Sequence, residues 1–131
     1  MAMRELMYGL IARDPDLNLL IPEERWYSSG GMIDTPVRPF AVMRFGVRSR
    51  GVGDTRRVPF TVWVHQEKGS FDIVDAVIRR IKVILEQSAG IVQGSTVLVC
   101  ADWSGDSEDL QDPEHRTNVR TTGWTLIGKD N

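Results

Sequence analysis

The fold turns on one stretch, Ser70-Phe-Asp-Ile-Val-Asp-Ala-Val-Ile-Arg-Arg-Ile-Lys-Val-Ile-Leu-Glu-Gln-Ser-Ala-Gly90. Phe71, Val74, Val77, Ile78, Ile81, Ile84 and Leu85 recur at the i, i+3, i+4, i+7 spacing that gathers apolar side chains on one face of an α-helix. Asp72, Asp75, Arg79, Lys82 and Glu86 fill the other positions, and Asp75 and Arg79 are spaced as an i, i+4 ion pair. Ser70 is placed to cap the first turn, and Gly90 suits the left-handed conformation that ends a helix. A helix with one apolar face has to lay it on a neighbour.

The flanking sequence supplies that neighbour. In Arg57–His65, Val58, Phe60, Val62 and Val64 share one face of a strand, while Thr61, Trp63 and His65 share the other. Phe40–Arg48 alternates less regularly. Downstream, Thr96–Ala101 within the run Ser95–Trp103, and Val119–Ile127 within the run Asn118–Ile127, complete the strand set, with Gly123 as a candidate bulge. Residues 3–12 read as a short amphipathic helix through Leu6, Met7, Leu10 and Ile11. Asp14–Pro39 carries Pro15, Pro22, Pro36, Pro39 and Gly30-Gly31 and reads as irregular, with a short strand near Arg25–Ser28. The order predicts one α+β domain over 1–131: a helix and irregular lead-in over 1–39, then, over 40–128, a mainly antiparallel sheet of about four long strands packed on helices.

A chain of 131 residues suits one core. Met1–Arg13 mixes charge into its apolar positions and does not read as a signal peptide, and no run approaches the roughly 18 apolar residues of a membrane span. A single cysteine, Cys100, leaves no intramolecular disulfide and fits synthesis in a reducing cytoplasm. The net charge of −2 argues against general nucleic-acid affinity. That sum hides two opposed patches.

From Asp102 to Arg116 the chain carries Asp102, Asp106, Glu108, Asp109, Asp112 and Glu114 against the single cation Arg116. Burying such a segment unpaired costs several kcal/mol per ion, so it lies in water or faces a basic partner. Arg48-Ser-Arg-Gly-Val-Gly-Asp-Thr-Arg-Arg57 is the complementary patch: a hairpin arm with Arg48, Arg50, Arg56 and Arg57, and with Gly51 and Gly53 at its tip. The two patches either close on each other within one subunit or join one copy to the next.

Catalytic chemistry is not expected. Cys100 lies in an apolar strand, where cysteine behaves as a small hydrophobe, and nothing in the sequence brings it to His65 or His115. The acidic run offers hard oxygens for calcium but lacks the D-x-[DN]-x-[DN]-G pattern with a glutamate at position twelve, so neither metal nor cofactor is expected. Gly30-Gly31 and Gly51, Gly53 lack the context of phosphate loops. Trp26, Trp63, Trp103 and Trp124 lie in or beside strands and read as packing residues; Trp103 adjoins acids rather than the cations of a base-stacking platform.

Arg38-Pro-Phe-Ala-Val-Met-Arg-Phe45, Phe60-Thr-Val-Trp-Val-His65, Asp72-Ile-Val-Asp-Ala-Val-Ile-Arg-Arg-Ile81 and Trp103-Ser-Gly-Asp-Ser-Glu-Asp-Leu-Gln-Asp-Pro-Glu-His-Arg116, in that order, resemble the small tail terminator, or tail completion, proteins of long-tailed bacteriophages, especially those of actinobacterial hosts. The resemblance covers about residues 22–128. It implies a non-enzymatic virion protein at the head-proximal end of the tail. Such subunits form a ring, commonly a hexamer, that ends polymerisation of the tail tube, meets the head connector and lets the genome pass without reading its sequence. The implied partners are further copies of the chain, the tail tube protein and the connector protein. Patches of opposite charge suit the head-to-tail interfaces of a ring. A head-closure or adaptor protein of the phage neck is the alternative, and a small ligand-binding domain the third reading.

Overall fold

The computed structural model describes residues 2–29, 31 and 36–130; Gly30 and residues 32–35 of the lead-in lie outside the described residues. Along the chain run α1 (Ala2–Ile11), α2 (Pro15–Asn18), a 3₁₀ turn (Glu23–Arg25), β1 (Trp26–Ser28), β2 (Phe40–Phe45), β3 (Ser49–Arg50), β4 (Arg56–Glu67), α3 (Asp72–Glu86), β5 (Ile91–Gln93), β6 (Thr96–Asp106), β7 (Leu110–Asp112) and β8 (Thr117–Asp130). The strands form one sheet in the order β1-β2-β4-β8-β6-β5, with β3 on β4 and β7 on β8. The α+β class is as the sequence reads, but the sheet has eight strands among the described residues rather than about four. β1 answers to the short strand expected near Arg25–Ser28, whereas β3, β5 and β7, two or three residues long, are too short to display a period of two.

The sheet is organised on β4 and β8, which pair antiparallel along their length from Arg56↔Gly128 to Glu67↔Thr117. Val58, Phe60, Val62 and Val64 are buried on the face that meets the helices, joined there by Trp124 and Leu126 of β8. Against them pack Leu6, Met7 and Ile11 of α1 and Val74, Val77, Ile78, Ile81 and Leu85 of α3. The expected apolar stripe of the long helix is therefore the centre of the core. The bulge expected at Gly123 sits instead on the partner strand: β6 shifts register between Leu98 and Cys100 and between Trp103 and Gly105. Gly123 lies opposite the second shift, where an added Cβ would come within 3.3 Å of the Gly105 carbonyl oxygen.

Two local expectations change. Ser70 Oγ does accept the Asp72 amide, at 3.2 Å, but the main capping group of α3 comes from the sheet. The side chain of buried Gln66, in β4, accepts the amides of Ile73 and Val74 through Oε1 and donates to Asp72 through Nε2. Orphan amides at a helix start take whichever acceptor the tertiary structure presents. Asp75 does not lean along the helix to Arg79; its carboxylate meets Arg120 Nη1 of β8 at 2.7 Å, because this side of α3 faces the sheet.

Candidate interaction surfaces

The hairpin arm is β3 folded back on the start of β4, with Ser49↔Arg57 and Arg50↔Arg56 in register. Its tip closes through Gly51 N–H to the Thr55 carbonyl, and Gly53 takes a φ of 66°, a conformation that favours glycine. Arg48, Arg50, Arg56 and Arg57 are all exposed. Val47 and Val52 are exposed to 86% and 90%, so the arm offers apolar side chains beside its cations. Asp54 at the tip stands 3.9 Å from Lys129.

The acidic run is more structured than a solvated loop. Asp106 ends β6, with its side chain largely covered; Lys82 of α3 approaches its Oδ2 at 2.7 Å, and the Trp103 indole donates to its Oδ1 at 2.9 Å. Burial raises the Asp106 pKa, but hydrogen bonds from Lys82, Trp103 and Thr122 outweigh it and hold the carboxyl below its ordinary value. Lys82 Nζ also lies 4.6 Å over the half-exposed Trp103 ring. Asp109 is exposed, 3.6 Å from Arg120 Nε. Asp102, Glu108 and Glu114 are exposed. The cations that meet Asp106 and Asp109 thus come from α3 and β8.

Strand register separates the two patches. The arm flanks the end of the ladder where Arg57 faces Ile127, while β7 pairs with Thr117–Val119 at the other end. Ten residues of strand at about 3.3 Å each put roughly 30 Å between them. Asp109, Asp112 and Glu114 therefore cluster at the end remote from the arm, whereas Asp102, facing Thr125, lies nearer to it.

Sequence reading missed a third feature. On the sheet face away from the helices, Phe40, His65 and Val119 lie side by side across β2, β4 and β8 and are buried. The Phe40 ring stacks on His65 at 4.3 Å. The turn between β7 and β8 folds His115 onto this row, edge-on to His65 at 5.7 Å. Asp112 sits between them: its Oδ1 accepts the amides of Glu114 and His115, and its Oδ2 is 2.8 Å from His115 Nδ1 and 4.0 Å from His65 Nδ1. His65 Nδ1 also contacts Thr117 Oγ1 at 2.8 Å. Burial pushes the His65 pKa down to about 4, against the pull of Asp112, so the ring is neutral at pH 7 and its contact with Asp112 is no ion pair. For Asp112, burial opposes ionisation, but hydrogen bonds from the His115 side chain and from the His115 and Glu114 amides hold the carboxyl below its usual value. An open cleft of about 200 Å³, lined also by Ser29, Val42, Arg44 and Trp63, leads to the group. The signal in the sequence was the residue count: the chain has two histidines, and both are here.

Cys100 faces Ile127, several residues along the ladder from this corner. Burial raises its pKa, with Asp102 adding to the effect, which leaves the thiol protonated and a poor nucleophile at neutral pH.

The chain matches no family profile and no curated protein. Its fold is similar to that of a chain in a solved particle described as the virion of a native gene transfer agent, with a TM-score of 0.69 over 92% of this chain and 90% of that one. Sequence identity is 13%, so the likeness is one of fold.

Proposed function

We propose that the chain is a structural subunit of a phage-like virion that assembles head to tail into a ring at the end of a tail tube. There it stops tube growth and presents a docking surface to the head connector. The observation that carries this reading is the separation of charge along the β4–β8 ladder. A basic arm with exposed valines projects at one end and carboxylates cluster at the other, so like patches repel in a two-fold pairing while unlike patches attract in a head-to-tail one. Similarity in fold to a chain of a gene transfer agent virion supports membership of such a particle.

The interface assigned by this reading comprises Arg48, Arg50, Arg56 and Arg57 on one subunit and the exposed Asp109 and Glu114 on the next, with Asp102 and Glu108 beside them; Asp106 and Asp112 are engaged within their own subunit. A head-closure or adaptor ring of the neck would share this geometry and differ in its partner. Negative-stain microscopy of the purified chain tests ring formation, and co-sedimentation with tail tubes against portal assemblies distinguishes the two. Rings with a central hole that pellet with tubes are expected. A monomer at high concentration that pellets with neither overturns the reading.

A further inference from the structure

We propose that His65, Asp112 and His115 form a binding site for one divalent transition-metal ion of the zinc class, with its fourth position open to the cleft. One ligand atom from each of the three residues lies within 4.8 Å of the other two. In a tetrahedral zinc site with bonds of 2.0–2.1 Å, ligand atoms stand roughly 3.3 Å apart. The 2.8 Å and 4.0 Å separations from Asp112 Oδ2 bracket that figure, so small side-chain rotations suffice to close the shell. Two imidazoles with one carboxylate is a nitrogen-rich set suited to zinc, cobalt, nickel or copper, unlike the all-oxygen shells of calcium and magnesium.

The surroundings hold the donors in place. Asp112 Oδ1 is engaged by two backbone amides, which fixes the carboxylate and leaves Oδ2 facing both rings. Phe40 packs flat on one imidazole and edge-on to the other. Thr117 Oγ1, buried beside His65, contacts His65 Nδ1 at 2.8 Å and would give that atom up to the ion on binding. The donors come from β4, β7 and the turn before β8, so a bound ion would tie that turn to the sheet. The site stands on these side chains alone and does not depend on ring formation.

Calorimetric titration of the full chain with Zn²⁺ alone tests it. One ion per chain is expected, with a Kd of about 1 μM or tighter. Co²⁺ should give the visible absorption of a tetrahedral site, and the ring signals of both histidines should shift together in NMR spectra. His115→Gln and Asp112→Asn should each weaken binding by about 100-fold or more. No heat or spectral change up to about 100 μM metal overturns the site, as does binding that both variants leave intact. If the variants fail to fold, the wild-type spectrum still decides: at saturating Zn²⁺, unmoved signals from either histidine refute the assignment.

Discussion

The two ends of the β4–β8 ladder are built differently. At the Glu67–Thr117 end the chain meets its own polar groups: Gln66 caps α3, Asn118 donates to the Ser70 carbonyl, and Phe40, the two histidines, Asp112 and Thr117 pack together. At the Arg56–Gly128 end, paired strands lead into an arm whose arginines and valines stand in water. The contrast teaches that long strands here serve two tasks at once. At one end the side chains are paired within the subunit, and at the other they are exposed.

The largest loss should come from the core that both ends share. Ile81→Ala removes a fully buried side chain beneath the sheet and should lower stability by about 2–5 kcal/mol in urea unfolding. A midpoint unchanged by it would mean that α3 does not anchor the ladder.

The closed end comes next. Gln66→Ala strips the Ile73 and Val74 amides of their acceptor and should cost roughly 2–3 kcal/mol. Gln66→Glu keeps an acceptor and should recover part of that. A Gln66→Ala protein as stable as wild type would erase the difference between the two ends.

Asp14, which lies on neither strand of the ladder, provides a reference. It caps α2 through the Leu17 amide and holds Arg80 through two hydrogen bonds of 2.9 and 3.0 Å. Hydrogen bonding from Arg80 lowers its pKa below the ordinary 3.8. Its contribution is therefore full above that value and is lost as pH falls through the lower value of the folded chain. The acid limb of the stability curve should be flatter in Asp14→Asn than in wild type, measured by thermal unfolding across that range. Superimposable limbs would remove Asp14 from the account.

The smallest effect on folding is expected at the arm. Reversing both Arg56 and Arg57 to Glu should change stability by less than about 0.5 kcal/mol while abolishing assembly, with raised salt weakening wild-type assembly in the same direction. Sedimentation at low and high salt reads this directly. Unaltered assembly by the reversed protein would reduce the contrast between the ends to one of exposure alone. Recovery on also reversing the exposed Asp109 and Glu114 to Lys would identify the two ends as partners across subunits.

What was legible in the sequence was whatever repeats. The stripe of α3 and the alternation of Val58–Val64 fixed helix, strand and buried face, because each residue there answers to the same neighbour. β1 was legible as a short strand, but β3, β5 and β7 were not, since they exist only by pairing with β4, β6 and β8. Gln66 as a cap, Arg120 as the partner of Asp75, and the meeting of His65 with His115 are contacts between distant segments, and no local spacing encodes them. The acidic run showed its charge but not its cations, which stand on α3 and β8.

The small strands β3 and β7 have a consequence for how the molecule avoids its own kind. β2 reaches only Phe60 along β4, and β6 only Thr122 along β8. Beyond those points the long strands would present bare amides and carbonyls, an adhesive margin onto which another chain could add itself as one more strand. β3 covers Arg56 and Arg57, and β7 covers Thr117–Val119. Both act as hems sewn along stretches that would otherwise fray into fibres, leaving the sheet open only along its outer edges at β1 and at β5 and β6.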